Sequence, residues 1–364
     1  MPKVTGLEGI VAAETDISLV DGIQGHLIYR GYWAKDLAVQ KSYEEVAYLL
    51  WFGRLPDAAE ASGFQAKLAQ LRELPAHLKL IIDSLPGTIP MMSVLQTAVA
   101  ALATPDFAWP PTADQAALLT AVLPTVIAYR QAKLNGTPWV GPDAELDHTS
   151  NYLYMLIGKK PEEAHAKALG AYLVLGMEHG MNASTFAARV VASTQADLAS
   201  AVCGGIGAMK GPLHGGAPSE VTAMLEEIGT KDHAETWLRH VLEQGGRLMG
   251  FGHRIYKTRD PRAEALQAVA LQLNGQDHWL DLALHVEETA VRLLEEYKPG
   301  RRLYANVEFY AAAVMRAIDL PAELFTPTFT VGRIVGWTAH VLEQADVNRI
   351  FRPQSVYTGD MPAQ

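Results

Sequence analysis

Apolar residues at helical spacing recur along most of this 364-residue chain, and this pattern restricts the possible folds more than any other feature. Ser42 and Glu45 have the spacing of a capping box, and Gly53 is placed to end the helix that they begin. Such patterns predominate over alternating ones, so the sequence predicts an all-α fold. Further helices, with interruptions at Gly, Pro and Asn, are predicted roughly over 90–103, 113–134, 162–194, 219–228, 234–244, 262–273, 280–297, 307–318 and 332–344.

Strand signals are sparse and lie near the N-terminus. Residues 17–20 and 26–29 are strand-like and flank the turn-forming pair Asp21-Gly22. The sequence therefore predicts one small N-terminal β-hairpin beside a helical body.

The length favours about two domains, because single domains hold roughly 150 residues. Hydrophobic residues make up 49% of the chain and charged residues 19%, which is ordinary for a globular protein. Neither a low-complexity linker nor an internal repeat marks a boundary, so composition does not locate a second domain.

The net charge of -10 argues against nucleic acid or a membrane surface as a general partner, since both are polyanionic. Cys203 is the only cysteine, which excludes an internal disulfide and suits a reducing cytoplasm. Residues 1–10 lack a signal-peptide pattern, and no run of about 20 apolar residues follows. We therefore expect a cytoplasmic protein without a membrane span.

Three histidines lie beside or near glycine: His179 in MEHGMNAST, His214 in KGPLHGGAP and His253 in MGFGHRIYKTRDPR. Glycine permits the backbone to approach a ligand closely, which a packed core histidine does not need. Each histidine is a candidate for function, and on this pattern alone a structural role is an equal alternative.

Residues 210–218, between two helical patterns, are predicted to form a loop in which Gly215 and Gly216 follow His214. Such a break can place an imidazole at a helix terminus, which favours a neutral histidine that donates a hydrogen bond. A simple tight turn is the alternative.

Residues 250–262 contain two glycines, one histidine, three arginines and one lysine. This positive charge suits recognition of phosphate or carboxylate, with a solvated basic loop as the alternative. The chain has no GxGxxG, GxxxxGK[ST], HExxH or GxSxG motif, so a Rossmann fold, a P-loop, a metal site and a serine hydrolase are not predicted. Cys203 is interpreted as a packed small residue and not as a nucleophile.

The segments HGMNASTFAARV, KGPLHGGAPSEV, GFGHRIYKTRDPRA, NVEFY and LFTPTFTVGRIVGW follow one another along the chain. In this order they resemble the citrate synthase family, specifically the shorter bacterial and archaeal type that also includes 2-methylcitrate synthases. The resemblance extends from GLEGIVAAETDISLVDG and HLIYRG to FRPQSVYTG. A chance match to one glycine loop would not reproduce five segments in family order.

The resemblance implies an all-α fold of two domains. Residues 1–215 and 320–364 would form the larger domain, residues 216–319 the smaller one, and the active site would lie in the cleft between them. It also implies a homodimer with shared active sites, since a C-terminal arginine of this family reaches the partner's site.

The reaction that the resemblance implies joins acetyl-CoA to oxaloacetate and hydrolyses the adduct, with no permanently bound cofactor. His214 would stabilise the enolate of the thioester, and His253 would polarise the keto group. Glu308 would remove the proton from the acyl carbon.

The implied binding residues form two sets. His179, Arg262 and Arg333 would hold oxaloacetate, with Arg352 supplied by the other subunit. Coenzyme A, a co-substrate, would contact Lys257 and the segment Gly250, Phe251 and Gly252.

Glu308 departs from the family pattern, which has Asp at this position. The extra methylene moves the carboxylate by roughly 1.5 Å, while a misplacement of about 1 Å can cost on the order of 100-fold in rate. Either the neighbouring helix is displaced to compensate, or the enzyme is slower or differently selective. A surface helix residue without a catalytic role is the remaining alternative.

Two other functions stay open on the sequence. A 2-methylcitrate synthase would use propionyl-CoA, which differs from acetyl-CoA by one methyl group, worth only about 1–3 kcal/mol of discrimination in an apolar pocket. A catalytically silent relative would bind coenzyme A or a tricarboxylate without turnover. The intact histidines and arginines argue against the silent relative.

Overall fold

The computed structural model describes residues 6–7, 9–215, 217–253, 255–272 and 278–362. Within these ranges the chain is predominantly helical, which confirms the all-α prediction. The helices are α1 (Ala34–Gln40), α2 (Tyr43–Phe52), α3 (Ala58–Gln70), α4 (Ala76–Ser84), α5 (Met91–Ala101), α6 (Ala113–Asn135), α7 (His148–Ile157), α8 (Glu163–Gly176), α9 (Ala183–Ser193), α10 (Leu198–Met209), α11 (Pro212–Gly215), α12 (Ala217–Ile228), α13 (Lys231–Glu243), α14 (Pro261–Gln272), α15 (His278–Tyr297), α16 (Val307–Ala317) and α17 (Phe325–Asp346). Single turns of 3-10 helix occupy Pro105–Phe107 and Ala322–Leu324.

The N-terminal hairpin is present, with β1 (Ser18–Asp21) antiparallel to β2 (His26–Tyr29). A third strand, β3 (Tyr32–Trp33), extends the sheet and is too short to give a pattern in the sequence. The hairpin tip touches the basic segment: the carbonyl of Gly22 accepts a hydrogen bond from the Lys257 N–H at 2.8 Å. A Cβ at Gly22 would lie 2.2 Å from the carbonyl oxygen of Ile255, so only glycine fits there.

The predicted ends of α2 are confirmed. The Ser42 hydroxyl accepts from the Glu45 N–H at 3.1 Å, and the Glu45 carboxylate accepts from the Ser42 N–H at 2.9 Å. Gly53 follows with φ of +79°, a left-handed conformation that ends the helix.

The single helical pattern predicted over 162–194 is wrong, because α8 and α9 are separate helices. Residues 177–182 form a turn between them. Gly180 has φ of +62°, which a helix cannot contain, and Asn182 caps α9. His179 lies in this break.

The loop predicted over 210–218 is also partly wrong, because Pro212–Gly215 forms the single helical turn α11 and α12 begins at Ala217. Gly216 lies outside the described residues. Leu273, the predicted end of a helix, is also outside them, and α14 is described to Gln272.

Helix α10 shows why some helices escaped prediction. It contains Gly204, Gly205 and Gly207, and glycine disfavours a helix by about 1 kcal/mol relative to alanine. A Cβ at Gly205 would lie 2.8 Å from the ring of Trp337, so the glycine permits close packing of α10 on α17. Among the described residues, five other helices that the sequence did not predict are α1, α3, α4, α7 and the single turn α11.

Helix α17 is the centre of the packing. It contacts α2, α5, α6, α8, α9 and α10, and most of its residues are buried. Helices α12 to α16 pack on one another, and α14 connects this group to α1 and α8. Among the described helices, none combines the length and the apolar character required to cross a membrane.

Candidate active site

His179 lies in the turn between α8 and α9. Its ring nitrogen Nε2 lies 3.2 Å from the hydroxyl of Tyr256, and its ring centroid is 5.7 Å from that of His253. Burial, together with the charges of Arg262 and Arg333, lowers the pKa of His179 well below its usual value. The ring is therefore neutral.

His253 has a defined tautomer. Its Nδ1 accepts hydrogen bonds from the backbone N–H groups of Ile255 and Tyr256, both at 3.0 Å. An accepting ring nitrogen carries no proton, so the neutral ring holds its proton on Nε2. Burial first, and then the charge of Arg262, lowers the pKa of His253 to about 4. Near neutral pH, Nε2 is thus a hydrogen-bond donor.

Arg262 is fixed by a buried two-point pair with Asp260. Nε and Nη2 donate to the two carboxylate oxygens at 3.0 and 2.8 Å, and the same carboxylate accepts from the Val307 N–H at 3.1 Å. Nη2 also lies 3.2 Å from Nε2 of His253. Both nitrogens are donors and cannot satisfy each other, so this pair is suited to an oxygen that accepts from both.

Arg333 projects from α17 and is 2% exposed. Its Nε donates to the carbonyl of Gly176 at 2.7 Å, and its guanidinium lies 4.7 Å from the ring centroid of Phe329. Burial lowers the pKa of Arg333, but an arginine keeps its charge in proteins. Burial lowers the pKa of His214 and the charge of Arg333 adds to this effect, whereas at Glu308 burial raises the pKa and Arg333 opposes the rise. The two residues are therefore electrostatically coupled to Arg333.

The segment 250–252, predicted to face coenzyme A, pairs with residues 304–306 through a short antiparallel bridge between Phe251 and Ala305. The two backbone hydrogen bonds beside the bridge are both 2.8 Å long. Gly250 has φ of +78°, where a side chain would be strained. This pairing connects the loop of His253 to the start of α16.

Glu308 lies in the first turn of α16, which Asn306 caps by accepting from the Glu308 N–H at 3.0 Å. The carboxyl group is half-buried, and its removal from water raises its pKa to about 7. Arg262 and Arg333 oppose this rise, and Asp260 adds to it. Near neutral pH the group therefore exchanges a proton readily, as a general base must.

His214 lies in α11, with Nε2 2.7 Å from the hydroxyl oxygen of Ser184. Burial lowers its pKa to about 4, so the ring is neutral. The Ser184 hydroxyl accepts a hydrogen bond from Trp337 Nε1 at 3.0 Å. Its single proton can be donated either to Asn182 Oδ1, at 2.8 Å, or to Nε2 of His214. When the proton points to His214, the ring carries its own proton on Nδ1.

A basic cavity of about 350 Å³ lies beside His253. Lys257 was predicted from the sequence to contact a ligand, whereas Arg301 and Arg302, which closely precede the NVEFY segment, were not. Arg302 has φ of +49°, a left-handed conformation that is unusual outside glycine. The lining residues are His253, Tyr256, Lys257, Gly300, Arg301, Arg302 and Leu303.

Two larger cavities, of about 560 and 550 Å³, lie elsewhere in the described chain. The first borders α5 and the start of α17, and the second borders α1, α2 and α8. Neither cavity is lined by the three histidines or by Arg262, Arg333 and Glu308. The candidate active site is therefore distinguished by its chemistry and not by the size of its cavity.

Arg352 is exposed, on the extended segment that follows α17. Phe351 anchors this segment, since its N–H donates to the Ser193 hydroxyl at 3.1 Å and its ring packs 5.7 Å from that of Phe186. No hydrogen bond or ion pair among the described residues connects Arg352 to the histidines or arginines of the site. The shared-site role of Arg352 stays a prediction.

Three residues that were not predicted from the sequence also support the site. Asp260 orients Arg262, Ser184 contacts His214, and Tyr256 contacts His179. Asp260 and Tyr256 belong to the predicted basic segment, and Ser184 follows His179 within HGMNAST. Their closeness in sequence to the predicted site residues could have identified them, but the contacts that they make depend on the fold.

The family model "Citrate synthase, C-terminal domain" matches residues 6–354. A citrate synthase of Synechocystis is 42% identical over 98% of this chain and 90% of that protein. A 2-methylcitrate synthase of Mycobacterium tuberculosis is 39% identical over 97% of this chain and 90% of that protein. A citrate synthase of Thermoplasma acidophilum, solved with carboxymethyl coenzyme A and oxaloacetate, has a TM-score of 0.90 at 28% identity, covering 99% of this chain and 97% of that one. The chain therefore belongs to the citrate synthase family.

Proposed function

We propose that this chain condenses acetyl-CoA with oxaloacetate in the cytoplasm and releases citrate and free coenzyme A. The observation that carries the proposal is the geometry at His253, where the protonated Nε2 and Nη2 of Arg262 lie 3.2 Å apart and can donate to one oxygen. In addition, burial raises the pKa of Glu308 to about 7 and lowers the pKa of His214 and of His253 to about 4. A Claisen-type condensation needs a base and neutral donors for oxygens that gain charge. The buried arginines supply cations for the carboxylates of the keto acid.

In the first step, Glu308 takes a proton from the carbon beside the thioester, and an enolate forms. His214 donates a hydrogen bond from Nδ1 to the enolate oxygen while Ser184 donates to Nε2. A carboxylate with a pKa of about 7 is a stronger base than an ordinary glutamate, yet a large fraction is ionised at neutral pH.

In the second step, the enolate carbon forms a bond to the keto carbon of oxaloacetate. The electron pair of the keto C=O moves to its oxygen, where hydrogen bonds from Nε2 of His253 and Nη2 of Arg262 stabilise the charge. This oxygen then takes up the proton that Glu308 removed, which restores the base. Arg262 and Arg333, with His179, hold the two carboxylates. Water then attacks the thioester carbonyl of the adduct, and coenzyme A leaves as the free thiol.

The basic cavity supports coenzyme A as the co-substrate. Lys257, Arg301 and Arg302 line it, and coenzyme A carries phosphate groups. The cavity also includes His253, so a ligand held there by its phosphates could extend toward the reacting groups. We propose that the segment 250–252 lies along the coenzyme.

We propose a large domain of residues 1–215 and 320–364 and a small domain of residues 216–319. His179, His214 and Arg333 would belong to the first, and His253, Arg262 and Glu308 to the second. Closure of the cleft would exclude water before the enolate forms.

We also propose a homodimer in which Arg352 completes the partner's site. Mixing inactive Arg352→Ala chains with inactive His253→Ala chains should restore part of the activity through hybrid dimers. Hybrid dimers that form and stay inactive would contradict the shared site.

Release of free thiol from acetyl-CoA only in the presence of oxaloacetate tests the proposed reaction. Propionyl-CoA is the second substrate to compare, because the Mycobacterium tuberculosis relative is named a 2-methylcitrate synthase. A higher kcat/KM with propionyl-CoA would identify this alternative. No release with either thioester would favour a protein that binds coenzyme A without turnover.

A further inference from the structure

Glu178 precedes His179 and is a fully buried carboxylate that the proposed reaction does not use. Its Oε1 accepts hydrogen bonds from the Ser18 hydroxyl at 2.9 Å and from the Gly180 N–H at 2.5 Å. Nε2 of His340 lies 3.1 Å from the same oxygen, off the line of a straight hydrogen bond. Three donor groups thus converge on one carboxylate oxygen.

The position of this oxygen closes the turn around His179. Glu178 and Gly180 are the two sequence neighbours of His179. The hydrogen bond from the Gly180 N–H to the Glu178 side chain therefore spans the histidine and fixes the backbone on both sides of it. Tyr29 holds the same turn through the backbone, because its hydroxyl donates to the Glu178 carbonyl at 2.8 Å. The backbone that carries the imidazole therefore cannot shift without the loss of these hydrogen bonds.

Behind Glu178, further buried contacts hold His340. Its Nδ1 lies 2.8 Å from Nη1 of Arg189, and an arginine can only donate, so a neutral His340 carries its proton on Nε2, toward Glu178. Arg189 also donates to Glu343 at 2.7 Å and to Gln344 at 3.0 Å. The position of His340 is thus fixed from the side remote from the turn.

Helix α17 brings Arg333 to the other side of the same group. Arg333, Gly336 and His340 have the spacing of one helical face. A Cβ at Gly336 would lie 2.7 Å from Oε2 of Glu178 and 2.1 Å from the carbonyl oxygen of Met177. The carboxylate therefore lies between the His179 turn and the helix that carries Arg333.

We propose that Glu178 is a positioning residue for the keto acid: its Oε1 sets the place of His179 relative to Arg333. This inference rests on the proposed binding of oxaloacetate by both residues. The role requires an acceptor oxygen at this place and does not require a negative charge. A negative charge there even weakens the attraction between Arg333 and a dianion.

Two conservative variants separate the effect of the position of the Glu178 oxygen from the effect of its negative charge. Glu178→Asp keeps the charge and withdraws the oxygen by roughly 1.5 Å, so the Kd of oxaloacetate should rise about 10-fold, as for buried donors left without an acceptor. Glu178→Gln keeps an oxygen at the same distance, so its Kd should stay within about 2-fold of the wild type or fall. The KM of acetyl-CoA should change less than about 2-fold in both.

Glu44→Asp is the matched control, since Glu44 is 3% exposed and accepts from the His148 N–H at 2.7 Å, outside the site. It should lower the melting temperature and leave the Kd of oxaloacetate unchanged. Calorimetric titration of each variant with oxaloacetate gives the readout.

A normal Kd in Glu178→Asp, or an equal loss in Glu178→Gln, would overturn the positioning role. An equal rise in the KM of acetyl-CoA would overturn it too, because it would indicate general damage. Failure of the wild type to bind oxaloacetate would instead refute the proposed function.

Discussion

The turn that carries His179 and the segment that carries His253 bring two neutral imidazoles within 5.7 Å of each other, but different contacts hold them in place. The His179 turn is fixed by side chains that come from far along the sequence, Tyr29 and Ser18 among them. The His253 segment is fixed mostly by backbone contacts, to the hairpin tip at Gly22 and to residues 304–306.

This difference indicates two kinds of rigidity. Displacing the His179 turn would break buried and part-buried hydrogen bonds, and a buried polar group left without a partner costs about 1–3 kcal/mol. The His253 segment is connected to the start of α16 by their mutual bridge, so a displacement of one would displace the other. We therefore expect keto-acid binding to depend on the first region, and catalytic alignment on the second.

The largest effect should follow a change in the second region. Glu308→Gln keeps the shape of the side chain and removes the base, so kcat should fall by about 100-fold or more, as expected for general-base catalysis. The Kd of oxaloacetate should stay close to the wild-type value, because the arginines are unchanged. Stopped-flow turnover and calorimetric titration measure the two quantities.

Near-normal turnover of Glu308→Gln with both acetyl-CoA and propionyl-CoA would remove Glu308 from the mechanism. A large loss of oxaloacetate binding in Glu308→Gln would contradict the expectation that keto-acid binding depends on the His179 turn and not on the His253 segment and the start of α16.

Arg333→Lys should weaken oxaloacetate binding, which Glu308→Gln should leave unchanged. A lysine replaces the planar fork by one ammonium, which loses about 2 kcal/mol of charged hydrogen bonding, or roughly 30-fold in the Kd of oxaloacetate. The KM of acetyl-CoA should change far less. Steady-state kinetics with each substrate varied in turn makes the comparison, and an equal loss for both would indicate a folding defect.

The fold class was predicted correctly from the sequence, and the residues of the candidate site were selected from it, but on different grounds. Helical periodicity and caps such as Ser42 are local, so α2 could be placed from its own residues. The helix α10 could not, because Gly205 is explained only by the ring of Trp337, 132 positions later. Tertiary packing there overrides local propensity.

The same limit applies to the site. The resemblance identified His214 and Glu308, yet their protonation depends on burial, which no local pattern reports. Arg301 and Arg302 were missed because the cavity that they share with Lys257 forms only when two distant segments meet. Side-chain identity was therefore predictable, and electrostatic environment was not.

Glu308→Asp keeps the carboxylate and shortens the side chain, so its effect on kcat should be smaller than that of Glu308→Gln. The bridge of residues 250–252 to 304–306 places the start of α16, and we expect this placement to suit the longer glutamate. Shortening the side chain should then lower kcat by about 10-fold with acetyl-CoA. A higher kcat, measured in the same assay as the wild type, would show that α16 is positioned as in relatives that carry Asp.

The smallest effect concerns stability and its dependence on pH. Folding raises the pKa of Glu308 from an ordinary value of 4.5 to about 7, so the folded state binds more protons than the unfolded state between these values. Stability must therefore fall as pH rises from 4.5 to 7, because ionising this carboxyl group in a half-buried site is unfavourable. Glu308→Gln has no such group. Its melting temperature should match that of the wild type near pH 4 and exceed it by about 2 °C at pH 8, where partial solvent contact keeps the difference small. Calorimetry across this range checks the sign: a variant that melts below the wild type at pH 8 would mean that the ionised carboxylate stabilises the fold, and that the cleft does not raise its pKa.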